Sequence, residues 1–269
     1  LVALSIAADL AVLGYFKYTN FFIEIARDLF GAGFLEFQNI FLPVGISFFL
    51  FQSLSYTIDI YRGSLKPVDR WGDYLFYLSF FPQLVAGPIV RARDFLVQIR
   101  QNPIAVSREM FGTGIYLITI GLFKKAVISD YISLNFVDRI FDDPALYSGM
   151  ECLAAVYGYA LQIYCDFSGY SDMAIGLALL LGFRFPKNFD APYHSATITE
   201  FWRRWHISLS MWLRDYLYIS LGGNRKGRLR TYFNLLVTMV LGGLWHGAAI
   251  RFCLLYTSPC PRDGLLSRM

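Results

Sequence analysis

The stretch NFDAPYHSATITEFWRRWHISLSMWLRDYLYISLGGN, residues 188–224, holds three of the five tryptophans and two of the three histidines of this 269-residue chain. Its apolar residues recur at helical spacing, which predicts one helix. At about 100° per residue, the side chains form an aromatic arc beside a cationic arc. The aromatic arc comprises Trp202, Trp205, Leu209, Trp212 and Tyr216, and the cationic arc comprises Arg203, His206, Ser210 and Arg214. The stretch therefore predicts an amphipathic helix whose polar face carries a histidine.

The composition of the chain predicts a membrane protein around this helix. Hydrophobic residues make up 56% of the sequence and charged residues only 16%, whereas soluble domains carry about 25% charged residues. Basic residues occur in short clusters between apolar runs, which argues against a nucleic-acid partner. The four cysteines form no CxxC pair and have no histidine at zinc-ligand spacing, so we expect no metal site.

Apolar runs flank the stretch on both sides, and about 20 apolar residues are enough to cross a bilayer. The predicted spans cover residues 1–18, 41–60, 74–90, 111–128, 146–167 and 232–249, with a shorter segment at 171–183. The third span is interrupted by Pro82 and Gly87-Pro88, and such a break is tolerated only inside protein or beside a cavity. The sequence shows no internal repeat and no linker. The predicted fold is an all-α, polytopic transmembrane helix bundle.

The two ends of the sequence depart from this pattern. The first apolar run has no charged n-region and no cleavage site, so we predict a truncated span there and not a signal peptide. Residues 254–269 lose the apolar pattern in mid-helix and resemble a non-native tail. We therefore expect a fragment truncated at both ends, with a partial membrane domain over residues 1–253.

Two histidines in apolar surroundings are the strongest candidates for chemistry. His246 stands in the last apolar run, among glycines that leave room for a substrate or another helix. An ionisable group at such depth usually faces the protein interior or a water-filled cavity. His206 is a partner 40 residues earlier. The pair could serve as general base and orienting group, or as axial ligands of a haem, although each could also be a neutral core residue. His194 follows Pro192 and is predicted to be a polar loop residue.

Other polar residues are predicted to have binding or structural roles. Arg203, Arg204 and Arg214 could bind a phosphate or carboxylate, or could anchor the helix at the membrane interface. The pair Lys124-Lys125 is predicted to extend to that interface. Asp166 and Ser168 are predicted to cap the short helix that follows them.

Four long segments of this sequence resemble the membrane-bound O-acyltransferase (MBOAT) family. They are FPQLVAGPIVR (81–91), FSGYSDMAIGLALLLGFRFPKNFDAPY (167–193), ITEFWRRWHISLSMWLRDYLYISLGGNRKG (198–227) and GLWHGAA (243–249). Their order and spacing also agree, and the resemblance covers nearly all of residues 1–250. It implies a multi-helix bundle with a tunnel through the membrane. The family's essential histidine corresponds to His246, and its second motif histidine corresponds to His206.

The resemblance also implies an activity. The GGNRKG segment (222–227) resembles that of members that O-acetylate an exported polysaccharide such as alginate. Related members O-acetylate peptidoglycan or transfer D-alanine to teichoic acid. The implied protein is a multi-pass protein of the bacterial inner membrane. It has no bound cofactor and takes its acetyl group from acetyl-CoA or an acyl-carrier thioester on the cytoplasmic side.

The implied partners are membrane lipids, a periplasmic acetyltransferase and the polysaccharide, without nucleic acid. Arg203, Arg214, Ser210 and Trp245 are then predicted to contact the substrate. Two functions of other classes stay open. The histidine pair would also suit a haem-binding electron-transfer bundle, and the break at Gly87-Pro88 would suit a transporter.

Overall fold

The computed structural model describes residues 2–247 except 32, 34, 44, 85 and 101–104, and for His246 it describes the backbone alone. This part of the chain is helical and contains no strand, which confirms the predicted all-α class. The helices are α1 (Val2–Phe30), α2 (Ile46–Tyr61), α3 (Trp71–Ser79), α4 (Ala92–Ile99), α5 (Arg108–Asp142), α6 (Gly149–Leu180), α7 (Ile198–Arg204), α8 (Ile207–Trp212) and α9 (Arg228–His246). Turns of π-helix occur at Gly14–Tyr18, Phe123–Ser129, Ser133–Val137 and Leu213–Tyr218. Short 3₁₀ turns occur at Phe81–Gln83, Pro144–Leu146 and Pro192–His194.

Two of the described helices, α1 and α5, are long and apolar enough to cross a membrane. They have 29 and 35 residues, and the most apolar part of each is almost entirely unburied. Exposed apolar helix faces of this length suit contact with lipid. Both helices extend beyond the predicted spans, because the polar residues at the expected ends do not stop them.

The described chain forms two units. The first comprises residues 2–80, 89–96 and 189–247, and the second comprises 81–88 and 97–188. The first unit has an aromatic core to which α2, α8 and α9 contribute Phe51, Trp212 and Trp245. Residues 254–269 lie outside the described residues, so the predicted domain boundary and the non-native tail stay predictions.

The second unit is organised by a seam of glycines between α5 and α6. Gly114 faces Gly176, and Gly121 faces Gly169, so the two helices run antiparallel. A Cβ atom built on Gly121 would lie 2.6 Å from the carbonyl oxygen of Gly169, and one on Gly176 would lie 2.6 Å from that of Gly114. Only glycine allows the backbones to approach this closely, as small residues do at membrane helix crossings.

Ion pairs also join α5 to α6. Lys124 Nζ lies 2.6 Å from Asp172 Oδ2, and Lys125 Nζ lies 2.6 Å from both Asp166 Oδ1 and Asp130 Oδ1. These pairs compensate the charges of the two lysines within the unit. That the lysines extend to the membrane interface stays a prediction.

Helix α6 corrects a prediction, because it is one uninterrupted helix of 32 residues and not two. Asp166 and Ser168 lie inside it and cap nothing. Its start is instead fixed at Ser148, whose hydroxyl accepts a hydrogen bond from the backbone N–H of Glu151, while the Glu151 carboxylate accepts one from the Ser148 backbone N–H at 2.8 Å. Gly169, which lies between the two expected segments, faces Gly121 in the seam and does not end the helix.

The predicted break in the third span is confirmed. Helix α3 ends at Ser79, and the chain continues through the 3₁₀ turn Phe81–Gln83 and a non-helical stretch. In the second unit, a Cβ atom on Gly87 would overlap the carbonyl oxygen of Pro82, so the turn requires glycine. Pro82, Gln83 and Pro88 are buried, as expected for irregular backbone inside a membrane protein.

Candidate functional site

The stretch 188–224 folds as two short helices joined at His206, so the prediction of a single helix is wrong. Helix α7 ends at Arg204 and α8 begins at Ile207. His206 between them has φ 45° and ψ 54°, in the left-handed region. This conformation costs a residue with a side chain roughly 1–2 kcal/mol. The change of direction divides both arcs that continuous helical geometry would have formed.

Hydrogen bonds around the break satisfy the backbone that the missing helical turn would have paired. The Ser210 hydroxyl donates to the carbonyl of Trp202 at 3.3 Å, and the backbone N–H of Asp190 donates to the carbonyl of Arg204 at 2.9 Å. Thr197 caps the start of α7 by accepting from the backbone N–H of Glu200. Ser210, predicted as a substrate contact, therefore has a structural hydrogen bond at the break.

His206 is only 2% exposed. Two residues later, Ser208 is equally buried and accepts a hydrogen bond at 3.0 Å from the backbone N–H of Ile89. This contact holds the start of the segment 89–96 against α8. His194, in contrast, lies on an exposed 3₁₀ turn, as the sequence predicted for a polar loop residue.

The aromatic residues of the stretch separate into different clusters. Trp212 stacks on Phe51 with ring centroids 4.1 Å apart, and Trp245 stacks on the same Phe51 at 4.6 Å. The Trp212 indole N–H also donates to the carbonyl of Phe51 at 3.1 Å. Trp202 packs elsewhere, against Tyr218 and its neighbours. Phe51 thus connects α8, which follows His206, to the end of α9, which carries His246.

A group of polar and charged residues, which we call the arginine cluster, lies at the end of α2, directly before α4 and along the π-turn after α8. It consists of Arg62, Arg91, Arg214, Asp59, Asp215 and Tyr216. Arg91 Nη1 lies 2.7 Å from Asp215 Oδ2, Arg214 Nε lies 2.5 Å from Asp215 Oδ1, and Arg62 Nη1 donates to the Asp215 carbonyl at 3.0 Å. The Tyr216 hydroxyl donates to Asp59 Oδ2 at 2.8 Å.

The arginine cluster contains three arginines and two carboxylates, so its formal charges do not cancel. Burial raises the pKa of Asp215, but the hydrogen bond from Arg214 and the charge of Arg91 lower that pKa by more. Burial and the hydrogen bond to Asp59 raise the pKa of Tyr216. Asp215 is therefore ionised at neutral pH, and the cluster keeps one net positive charge that could attract an anion.

The predicted anion-binding arginines occupy different surroundings. Arg214 belongs to the arginine cluster, Arg204 pairs with Glu200 at 2.7 Å, and Arg203 is exposed. Arg62 and Arg91 were not among the predicted site residues. Both had a local signal, because Arg62 ends a polar group at the end of a predicted span and Arg91 ends the segment FPQLVAGPIVR. Their common partner, Asp215, is far away in sequence and gave no such signal.

His246 is the last residue of α9, and its side chain lies outside the described residues. The preceding Trp245 is buried at 8% exposure. Two residues of α1 reach the backbone here: Lys17 Nζ donates to the carbonyl of Trp245, and the Tyr18 hydroxyl donates to that of Leu244 at 2.7 Å. Neither residue was predicted from the sequence, because both lie near the end of the first predicted span, where polar residues are ordinary.

A cavity of about 460 Å³ in the first unit adjoins this end of α9. Its wall includes Trp212, Leu244, Trp245 and Phe51, and Tyr18 and Ser47 also line it. The volume lies within the range of small-molecule sites, roughly 300–1,000 Å³. The cavity is therefore an apolar space next to the backbone of the predicted catalytic residue.

Comparison with known proteins agrees with this architecture. A family model described as "MBOAT, membrane-bound O-acyltransferase family" matches residues 71–260. The chain is 46% identical over 248 residues to "Probable alginate O-acetylase AlgI" of Pseudomonas putida, a match covering 91% of this chain and 50% of that protein. It is 38% identical over 274 residues to "Peptidoglycan O-acetyltransferase" of Helicobacter pylori, covering 93% and 52%. It is 31% identical over 225 residues to "Teichoic acid D-alanyltransferase" of Bacillus subtilis, covering 78% and 55%.

The chain spans about half the length of the curated relatives it matches. The family match itself extends over more than half of the chain. It includes the break at His206, the residues Arg91 and Asp215, and the end of α9. The chain belongs to the membrane-bound O-acyltransferase family.

Proposed function

We propose that the protein is a membrane-embedded O-acyltransferase that moves an acetyl group from a cytoplasmic thioester toward an exported polysaccharide such as alginate. Family membership and the 46% identity to an alginate O-acetylase support this proposal. The observation on which it depends most is the buried His206, held at a left-handed break in the same unit as the backbone of His246.

In the proposed reaction, His246 acts as general base on the acceptor hydroxyl. The imidazole takes the proton while the hydroxyl oxygen forms a bond to the thioester carbonyl carbon. The tetrahedral intermediate then collapses, the carbon–sulfur bond breaks, and the thiolate leaves and is reprotonated. His206 orients the acceptor or stabilises the oxyanion that develops on the carbonyl. The apolar wall of the cavity would keep water from hydrolysing the thioester.

The acyl donor is proposed to be acetyl-CoA or an acyl-carrier thioester, both of which bear phosphate. The net positive charge of the arginine cluster supports Arg214 as a contact for that phosphate, and the exposed Arg203 is available for the same purpose. Replacement of Arg214 by Gln should then raise the donor KM, since binding of the donor would weaken before the chemical step. An unchanged donor KM in both Arg203→Gln and Arg214→Gln would leave the two arginines with a structural or anchoring role.

The central test is the acetyl content of the exported polymer in cells that produce His246→Ala at the wild-type level. We expect acetylation to fall to the background of cells without the gene. His194→Ala is the matched control, because His194 lies on an exposed turn and should be dispensable. Normal acetylation by His246→Ala would remove this residue from the mechanism.

The final acceptor is proposed to be a polysaccharide because identity to the alginate relative is higher than identity to the teichoic acid relative, 46% against 31%.

A periplasmic acetyltransferase that receives the acetyl group at the inner membrane is the proposed partner. Complementation would separate the alternatives. Restored alginate acetylation in a strain lacking its own O-acetylase supports the proposal, whereas restored peptidoglycan acetylation or D-alanylation would assign another acceptor.

A further inference from the structure

We propose that Lys17 and Tyr18 are positioning residues that hold the end of α9, and thereby orient His246 for the reaction. This inference rests on the proposed role of His246. Its basis is that the two residues donate to the carbonyls of Trp245 and Leu244, the two residues that immediately precede His246.

These hydrogen bonds lie at the C-terminal end of α9, where backbone carbonyls lack partners within the helix. The last four carbonyls of a helix have no partner within the helix, and those of Leu244 and Trp245 belong to this group. The backbone ends with a long hydrogen bond of 3.4 Å from Gly247 to Gly243. A positive charge is also favourable at a helix C-terminus. Lys17 and Tyr18 thus pair two of the terminal carbonyls of α9.

Lys17 is fixed in place by three contacts. Besides the Trp245 carbonyl, its ammonium group donates to the Ser47 hydroxyl at 3.2 Å and lies 5.6 Å from the centroid of the Trp245 ring. It therefore holds both the backbone and the indole of Trp245. A movement of the Lys17 ammonium group would act directly on Trp245, the residue beside His246. Trp245 also stacks on Phe51.

The use of a lysine here needs an explanation, because a hydroxyl or amide could cap the carbonyl at lower cost. Lys17 lies in a helix apolar enough to cross the membrane, where a charge is expensive. No carboxylate of the described residues forms an ion pair with it. It also lies on a π-turn, Gly14–Tyr18, and such turns inside helices are frequent at functional sites. These features fit a residue kept for the reaction more than for the fold.

Steady-state kinetics of the full-length protein would test the role. Lys17→Met keeps the length of the side chain but removes its charge and its hydrogen-bond donors. Lys17→Arg keeps the charge and the donors. We expect Lys17→Met to lower kcat about 10- to 100-fold with little change in donor KM, because small displacements of a reacting group cost up to about 100-fold. Tyr18→Phe should have a smaller effect in the same direction. Lys17→Arg should recover most of the loss.

Two control variants remove an ammonium group and a tyrosine hydroxyl at other positions of the chain. Lys66→Met changes a lysine of an exposed loop, and Tyr15→Phe changes a tyrosine of the same π-turn that is 59% exposed. Both should keep the wild-type kcat. An unchanged kcat in Lys17→Met would overturn the proposal. A raised donor KM with an unchanged kcat would also overturn it, because Lys17 would then bind the donor.

A spectroscopic readout keeps this test independent of the proposed function. In protein labelled at histidine, the imidazole resonance that disappears in His246→Ala belongs to His246. That resonance should shift in Lys17→Met and Tyr18→Phe, and stay in place in Lys66→Met and Tyr15→Phe. If the wild-type protein proves to have no acetyltransferase activity, the proposed function fails and the resonance still decides the positioning role. A resonance unmoved by Lys17→Met would contradict that role.

Discussion

Each of the two units packs its helices together, but the contacts that do so differ between the units. In the second unit, the long helices α5 and α6 are joined by two pairs of facing glycines and by lysine–aspartate pairs. In the first unit, the short helices α7 and α8 meet at a histidine with left-handed backbone, and stacked aromatic rings form the core. The candidate site lies entirely in the first unit. Close backbone packing joins a helix pair with few specific residues, whereas the break beside the candidate site is surrounded by hydrogen bonds from several residues.

The largest expected effect concerns the charges of the first unit. Asp215→Asn would leave Arg91, which is buried, without its ionic partner. Loss of one partner of such a buried pair lowers the free energy of unfolding by about 3 kcal/mol. Thermal unfolding of the purified protein would measure this. Asp94→Asn is the control, because Asp94 is 60% exposed in its pair with Arg93 and should contribute little. Equal losses in the two variants would show that the arginine cluster is not a structural core.

The next largest effect concerns the glycine seam of the second unit. A methyl group on Gly121 would press against the Gly169 carbonyl, so Gly121→Ala should lower the free energy of unfolding by about 1–3 kcal/mol. Gly112 lies on the same helix with nothing within 4 Å of its Cβ position. Gly112→Ala should therefore be neutral or stabilising, by up to about 1 kcal/mol. If Gly121→Ala were harmless, the close approach of α5 and α6 would be disproved.

A Gly/Ala comparison at one position of each unit tests the difference in backbone directly. At His206, glycine should be more stable than alanine by roughly 1 kcal/mol, because only glycine adopts the left-handed region without penalty. At Tyr157, an exposed position inside α6, the order should reverse, with alanine more stable by about 1 kcal/mol. The readout is the unfolding temperature of all four variants. The same order at both positions would contradict the left-handed break.

The smallest expected effect is a pH dependence of the first unit. Because the pKa of Asp215 is lowered in the folded protein, its ionic contribution is fully present above the unfolded pKa of about 3.9 and is lost as the pH falls through the folded pKa. The difference in unfolding temperature between wild type and Asp215→Asn should stay constant from about pH 8 to pH 5 and shrink below about pH 4. A difference that already shrinks near neutral pH would show that the carboxylate is not held ionised.

The same contrast explains which features were predictable from the sequence. Apolar runs identified most of the helices, and Pro82 with Gly87-Pro88 identified the break in the third span, because proline and glycine act locally. The break at His206 has no glycine or proline, and the hydrogen bonds that Asp190 and Ser210 make around it left no local signal in the sequence. The ion pair of Lys124 with Asp172 joins residues 48 apart in sequence, which no local pattern indicates.

Of the candidate site, the sequence identified the histidines and Arg214 through their motifs. It identified neither Lys17 nor Arg91, because their roles depend on partners in other helices. His206 was predicted as a candidate from its motif, but its burial and backbone conformation follow from tertiary contacts. Motif residues are therefore predictable here, whereas the residues that support them are not.

The paired charges of α5 and α6 have a consequence for how the protein enters the membrane during synthesis. Helix α5 carries Lys124, whose partner Asp172 is made later, whereas Lys125 also has Asp130 as a partner within α5 itself. Each uncompensated charge costs about 2.5–3.5 kcal/mol in a helix inserting alone. We therefore expect α5 to leave the insertion machinery efficiently only together with α6. In glycosylation mapping, a chain ending at residue 145 should insert poorly, and Lys124→Leu should restore insertion. Poor insertion of that leucine variant would show that the charges do not delay it. On this view, the lysine–aspartate pairs act first as a timing signal in biogenesis and only afterwards as part of the finished fold.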